Sequence, residues 1–151
     1  MINNDSYDAE KLYDANYTIG VICSVFLREF GEAASGIISK ICYERGLALG
    51  SRLGSGIQEK SFEAAVQAFV KASESSKYPA VLSFLTNEKA ILHGTKCPLG
   101  LKGRGRAICE AMMTMDQGIL ERASDLKLDF IVNKTIAQGD ENCEVIFEVS
   151  D

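Results

Sequence analysis

The sequence predicts an α+β domain: N-terminal helices packed on one face of a four-stranded antiparallel sheet, the sheet built from two hairpins separated by a helix. Three observations predict it. Apolar residues recur at helical spacing through the first half of the chain. Two pairs of β-type runs follow, each pair joined by a turn too short for anything but antiparallel pairing. Between the pairs lies one more amphipathic stretch.

Residues 8–30 read as the first helix, with Leu12, Ala15, Ile19, Ile22, Phe26 and Phe30 at helical spacing and Gly31 as its stop. Residues 32–53 read as the second, with Ala34, Ile37, Ile38, Ile41, Cys42 and Leu49 inward. Gly46, Gly50 and Gly54 recur at four-residue steps; each costs a helix about 1 kcal/mol relative to alanine, so this end is either frayed or closely packed. Ser61 caps a third helix over 62–73. Residues 80–86 and 89–95 form a hairpin around Asn87-Glu88, 96–103 a loop, and 105–123 the fourth helix. Residues 126–136 and 143–149 form the second hairpin, turning near Gly139-Asp140.

At 151 residues the chain is sized for a single domain over 1–151, and an apolar fraction of 46% with 25% charged residues excludes a disordered chain. The net charge of −5 excludes a general nucleic-acid binder. The opening residues are polar and acidic, unlike a signal peptide, and the longest apolar run, 19–27, is about half of what a membrane helix needs. Five cysteines, an odd number with no Cys-x-x-Cys, read as reduced thiols of a cytoplasmic protein. Phe26, Leu27 and Phe30 supply more apolar surface than one sheet face needs, which predicts a homodimer.

Chemistry concentrates in the second half. No acidic residue stands between Glu88 and Glu110, while Lys89, Lys96, Lys102, Arg104 and Arg106 do, on a glycine-rich loop that enters a helix N-terminus. This reads either as a site for a small anionic ligand, with Arg104 and Arg106 as its clamp, or as a solvated loop. On the fourth helix Arg106, Glu110, Thr114, Gln117 and Glu121 share a polar face, whereas Asp116 lies among apolar residues two turns beyond Cys109. Such an aspartate is either a general base or a structural acceptor of backbone N–H groups. If the strand from Lys89 runs past Gly94, the unique His93 shares a face with Cys97, as a Cys–His pair or as an ordinary hydrogen-bonded histidine. Cys143 shares a face with Val145 and Phe147. Cys97, Cys109, Cys143 and His93 have zinc-binding atoms but match no zinc spacing, so neither a metal nor another cofactor is expected.

Cys97-Pro98-Leu99-Gly100, then Cys109 and Asp116, then the closing run with Asn133, Thr135 and Gly139-Asp140-x-x-Cys143 resemble the L-2-amino-thiazoline-4-carboxylic acid hydrolase-like family. More distantly they resemble the 4-vinyl-reductase-type small-molecule-binding domains. The resemblance covers about the last third of the chain. It implies a pocket between helices and sheet. In the first family the reaction is hydrolytic opening of a cyclic amidine carboxylate at a C–N bond, with Asp116 and Cys109 as the catalytic pair. Arg104, Arg106, His93, Cys97, Asn133 and Thr135 would then bind the anionic or cyclic ligand. In the second it is non-catalytic binding of a hydrophobic or tetrapyrrole-like ligand in a sensor. Some of those relatives hold zinc with a cysteine, a Glu-x-x-Cys and a last cysteine. Cys109 and Cys143 match the outer pair, but Val132 and Thr135 stand at the middle positions, which leaves a metal-free polar set.

Overall fold

The computed structural model describes residues 7–151; the part of the polar opening that lies in 1–6 falls outside them. Four helices, α1 (Ala15–Phe30), α2 (Glu32–Ser55), α3 (Phe62–Glu74) and α4 (Arg106–Ser124), accompany four strands, β1 (Val81–Leu85), β2 (Lys89–Gly94), β3 (Leu128–Lys134) and β4 (Cys143–Val149). The predicted first helix starts late: a short 3₁₀ turn, Ala9–Lys11, precedes it, and Asp14 caps the N–H of Tyr17. Gly31, at φ 62°, ends α1 and begins α2 without a linker. Ser61 caps α3 by accepting from the Ala64 N–H at 3.0 Å.

The sheet order is β1-β2-β4-β3, antiparallel throughout, so each hairpin pairs internally and β2–β4 joins them. Alternation puts Ala90, Leu92, Leu128, Val132, Val145 and Phe147 on the inner face, where they pack with Phe62, Val66, Ile108 and Leu120 of the helices. The register Phe84↔Ile91↔Ile146↔Ile131 lays one apolar row across the outer face. It is bordered by Lys89, Glu148 and Asp129 on one side and by His93 and Glu144 on the other.

The glycine steps are a contact surface. Gly46, Gly50 and Gly54 are all buried against α4. A methyl group on Gly46 would collide with the Met115 carbonyl, one on Gly50 would come within 2.5 Å of the Ile119 carbonyl, and one on Gly118 within 2.5 Å of the Tyr43 carbonyl. The two backbones therefore approach as only glycine allows, and the Thr114 hydroxyl adds a bond to the Ser39 carbonyl at 2.8 Å. This contact changes the expected faces of α4. Lying between α2 and the sheet, the helix has no fully solvated polar side. Glu121 is only 6% exposed and accepts from Tyr43 (2.5 Å), Lys127 (3.3 Å) and the Leu128 N–H (2.9 Å). Gln117 donates to the Leu128 carbonyl at 2.8 Å.

The apolar stripes of α1 and α2 also face otherwise than their spacing suggests. On α1 the buried residues are Gly20, Val21 and Ser24, because Gly20 packs against the Leu99 carbonyl where no side chain fits. Ile22, Phe30, Ile37 and Ile41 are consequently 60%, 62%, 51% and 60% exposed.

Gly46→Ala should therefore lose about 2 kcal/mol or more, the overpacking penalty exceeding the gain in helix propensity. Gly36, on the same helix with open space within 4 Å of where a methyl group would stand, should gain up to about 1 kcal/mol on the same change. Urea unfolding of the two variants measures both signs.

Candidate functional site

A cavity of about 290 Å³ opens where α4, the inner sheet face and the loop between β2 and α4 meet. Leu92, Val145 and Phe147 form its sheet wall, Cys109, Met112, Met113, Met115 and Asp116 its α4 wall, and Phe69, Tyr78 and Pro79 its far side. Cys97, Pro98, Leu99 and Leu101 close it from the loop, and Thr135, Ala137 and Cys143 from the second hairpin. The loop is held by α1, since Gly100, at φ 62°, lies against the Tyr17 ring, and by the hairpin, since the Gly105 N–H donates to the Ala137 carbonyl at 2.8 Å.

Asp116 carries the site's electrostatics. It is half-buried in the cavity wall. No hydrogen bond or ion pair reaches it from the described residues, and burial alone lifts its pKa from 3.8 to about 6. Neither a backbone N–H nor an arginine among the described residues donates to it, and it borders the cavity.

The turn Thr135–Cys143 explains the Gly-Asp-x-x-Cys motif. Gly139 adopts φ 112°, Asp140 accepts the Thr135 N–H at 2.9 Å, Thr135 caps the Ala137 N–H at 3.2 Å, and Cys143 Sγ accepts the Ile136 N–H at 3.4 Å. A bulge at Asn133 breaks the alternation of β3. Thr135 thereby turns inward, buried beside Cys109, whereas Asn133 stays exposed and bonds Glu144. Burial raises the thiols of Cys97 and Cys109, and hydrogen bonding of Cys109 to Thr135 offsets only part of it.

Of the predicted site residues, the structure brings Asp116, Cys109, Cys97, Thr135 and Cys143 to one cavity. Arg104 and Arg106 lie outside its walls. Arg104 donates to the Gly100 carbonyl at 3.0 Å, and Arg106 reaches the Val132 carbonyl, Gln138 (2.6 Å) and Glu110 (3.3 Å), so both pin the loop to its neighbours. His93 borders the cavity, but its Nε2 bonds Ser83 at 2.8 Å and its Nδ1 lies 3.5 Å from Glu144. The strand ends at Gly94, so His93 and Cys97 share no strand face, although both border the cavity. Among the described residues no cluster of three His, Cys, Asp or Glu side chains is arranged to hold a metal ion. The methionine wall and the Tyr78-Pro79 lip were not legible as site residues. The run Met112-Met113-x-Met115 was the signal available, and methionine at helical spacing ordinarily means core.

No protein-family model matches the sequence, nor does any curated protein, so the likeness to thiazoline-carboxylate hydrolases stays one of motifs. Solved structures do match in fold. A trafficking protein particle complex subunit 3 from Naegleria fowleri, covalently bound to palmitic acid, is 15% identical over 90% of this chain and 93% of that one, with a TM-score of 0.70. The phenol-responsive sensory domain of the transcription activator PoxR, with phenol, is 9% identical over 89% and 74%, at TM-score 0.62. An H-NOX protein from S. oneidensis in the Fe(II)NO state is 14% identical over 88% and 74%, at TM-score 0.54. What the chain shares with them is a small α+β fold with helices packed against an antiparallel sheet.

Between pH 4 and about 6 the folded protein retains a proton on Asp116 that the unfolded chain has released, so folding stability falls as pH rises through that window and stays lower above it. Asp116→Asn should remove this fall. The variant should match wild type near pH 4 and exceed it by up to about 3 kcal/mol at pH 8, read from denaturant midpoints at the two pH values.

Proposed function

We propose that this chain is a single domain that binds a small, mostly apolar molecule in the cavity beside α4. The observation that carries the reading is the cavity itself: a half-open, largely hydrophobic space with one acidic residue, Asp116, in its wall. Its volume is about twice the roughly 150 Å³ of a cavity that takes up benzene, which suits a substituted ring or a short chain. Predominantly apolar walls with a few placed polar groups are the ordinary make-up of a ligand site. The palmitate and phenol named for two of the fold neighbours are ligands of the same apolar kind. A thermal-shift series of phenols, short alcohols, amines and thiazoline carboxylates tests it. A true ligand at a hundred times its Kd adds about 2.7 kcal/mol and should raise Tm by roughly 5–10 °C. A flat series would overturn the proposal.

A hydrolytic version of the same site rests on the near-neutral carboxyl. Asp116, with a pKa of about 6, suits the work of a general base that takes a proton from water as the water attacks the amidine carbon; the ring C–N bond then breaks and the same carboxyl returns the proton to the departing nitrogen. The ring nitrogen would lie on Asp116 and the carboxylate on Lys96 at the rim, in place of the arginine clamp. Burial keeps the Cys109 thiol protonated, which leaves water as the nucleophile. Release of ring-opened product from 2-amino-thiazoline-4-carboxylate, lost in Asp116→Asn, would establish turnover. Binding without product would leave a non-catalytic domain.

The same reading includes a homodimer through the first two helices. Residues 15–27 carry no charge, and Ile22, Phe26, Phe30, Ile37 and Ile41 are exposed there, with the Phe26 and Phe30 rings 4.8 Å apart. The outer sheet face is a poorer candidate, since charged rows border its single apolar row. Sedimentation should give twice 16.4 kDa, falling to the monomer in Phe30→Glu but not in Ile131→Lys.

A further inference from the structure

We infer that the ligand of this cavity is an organic cation, a protonated amine or amidine on an apolar body, whose nitrogen pairs with Asp116. The inference rests on the cavity being a ligand site and names the chemistry that site selects.

Asp116 is the one acidic residue in the cavity wall, and Lys96, the one lysine or arginine there, does not pair with it. Asp116 has no hydrogen bond or ion pair from any described residue, although it is half-buried. Lys96, a cation bordering the same space, is exposed and makes no ion pair with Asp116. His93 is occupied by Ser83 and Glu144. Arg104 and Arg106, in the basic loop that enters the helix, are held outside on backbone carbonyls. Above its pKa the carboxylate thus stands uncompensated in a low-dielectric space, a condition proteins ordinarily relieve with a partner.

No described residue supplies the partner; a ligand cation in the cavity completes the pair. A charge-assisted N⁺–H···O⁻ bond is roughly twice as strong as a neutral one. An anionic ligand would meet repulsion from Asp116, and a neutral hydroxyl would leave the charge uncompensated. Around the acid stand Met112, Met113 and Met115, whose flexible thioethers adapt to a varied apolar body. The small anionic ligand suggested by the basic loop is therefore replaced by its opposite in sign, because the loop's arginines point away from the space the helix encloses.

Three probes of one shape decide the matter: phenethylamine, phenethyl alcohol and phenylacetate, titrated calorimetrically into the full chain at pH 7.5. The amine should bind at least tenfold more tightly than the alcohol, and phenylacetate more weakly than either. In Asp116→Asn the amine should fall to the affinity of the alcohol, while the alcohol stays within twofold of its wild-type value. If the alcohol equals or exceeds the amine in wild type, or if Asp116→Asn keeps the amine preference, the cation assignment is overturned and the apolar cavity remains a ligand site. If none of the three binds wild type, the cavity reading fails with it. The wild-type ranking needs no variant, so the test stands even if Asp116→Asn folds poorly.

Discussion

The close approach of α2 to α4 is the constraint from which the rest of the structure follows. Gly46 and Gly50 on one helix and Gly118 on the other bring two backbones together at a separation that a single methyl group would prevent. One side of α4 is consumed in this contact. The helix then has only its opposite side for the sheet, and the residues there, Cys109, Met112 and Asp116, have no choice but to face inward. Glu121, which helical periodicity places on a solvated face, is buried for the same reason and becomes a fastener, accepting from Tyr43, Lys127 and the start of β3.

Two further small-residue contacts decide the shape of the cavity. Gly20 seats α1 on the Leu99 carbonyl, and Gly100 accommodates the Tyr17 ring. Together with the arginine bonds to Gly100 and Val132 they hold the loop between β2 and α4 as a rigid lip. Basic residues that could have served a ligand serve the backbone, because an enclosed carbonyl needs a donor as much as a ligand does. The same economy governs the hairpin turn, where Asp140 and Cys143 answer backbone N–H groups and the motif they form is architectural. Asn142 Oδ1 is the one buried side-chain oxygen or nitrogen among the described residues left without a partner, and Asp116, only half-buried at the cavity wall, is answered by no described residue either. Unpaired polar groups of this kind concentrate where a protein meets something else.

The surface tells a similar story of displaced roles. Because α1 presents Gly20 and Ser24 inward, its large apolar residues point outward, where they join Ile37 and Ile41 of α2 as the exposed apolar residues of the first two helices. An apolar stripe at helical spacing states that a face will be covered. It does not state whether the cover is the same chain or another.

The sequence by itself determined the order and type of the elements, the two hairpins, the Ser61 cap and the Gly31 break, because periodicity, capping and turn chemistry act over a few residues. It also placed Asp116 and Cys109 on one side of one helix, a matter of angular spacing alone. Only the tertiary structure decided which stripe of each helix is buried, since that depends on small residues meeting across long sequence distances, as Gly46 and Gly118 do. It alone separated Thr135 from Asn133, through a bulge that reverses alternation, and brought His93 and Cys97 to one cavity although the strand stops at Gly94. It also turned Arg104 and Arg106 from a ligand clamp into loop pins. Charge along a chain says where cations are, whereas their partners are fixed by which carbonyls the folded backbone leaves in need of a donor.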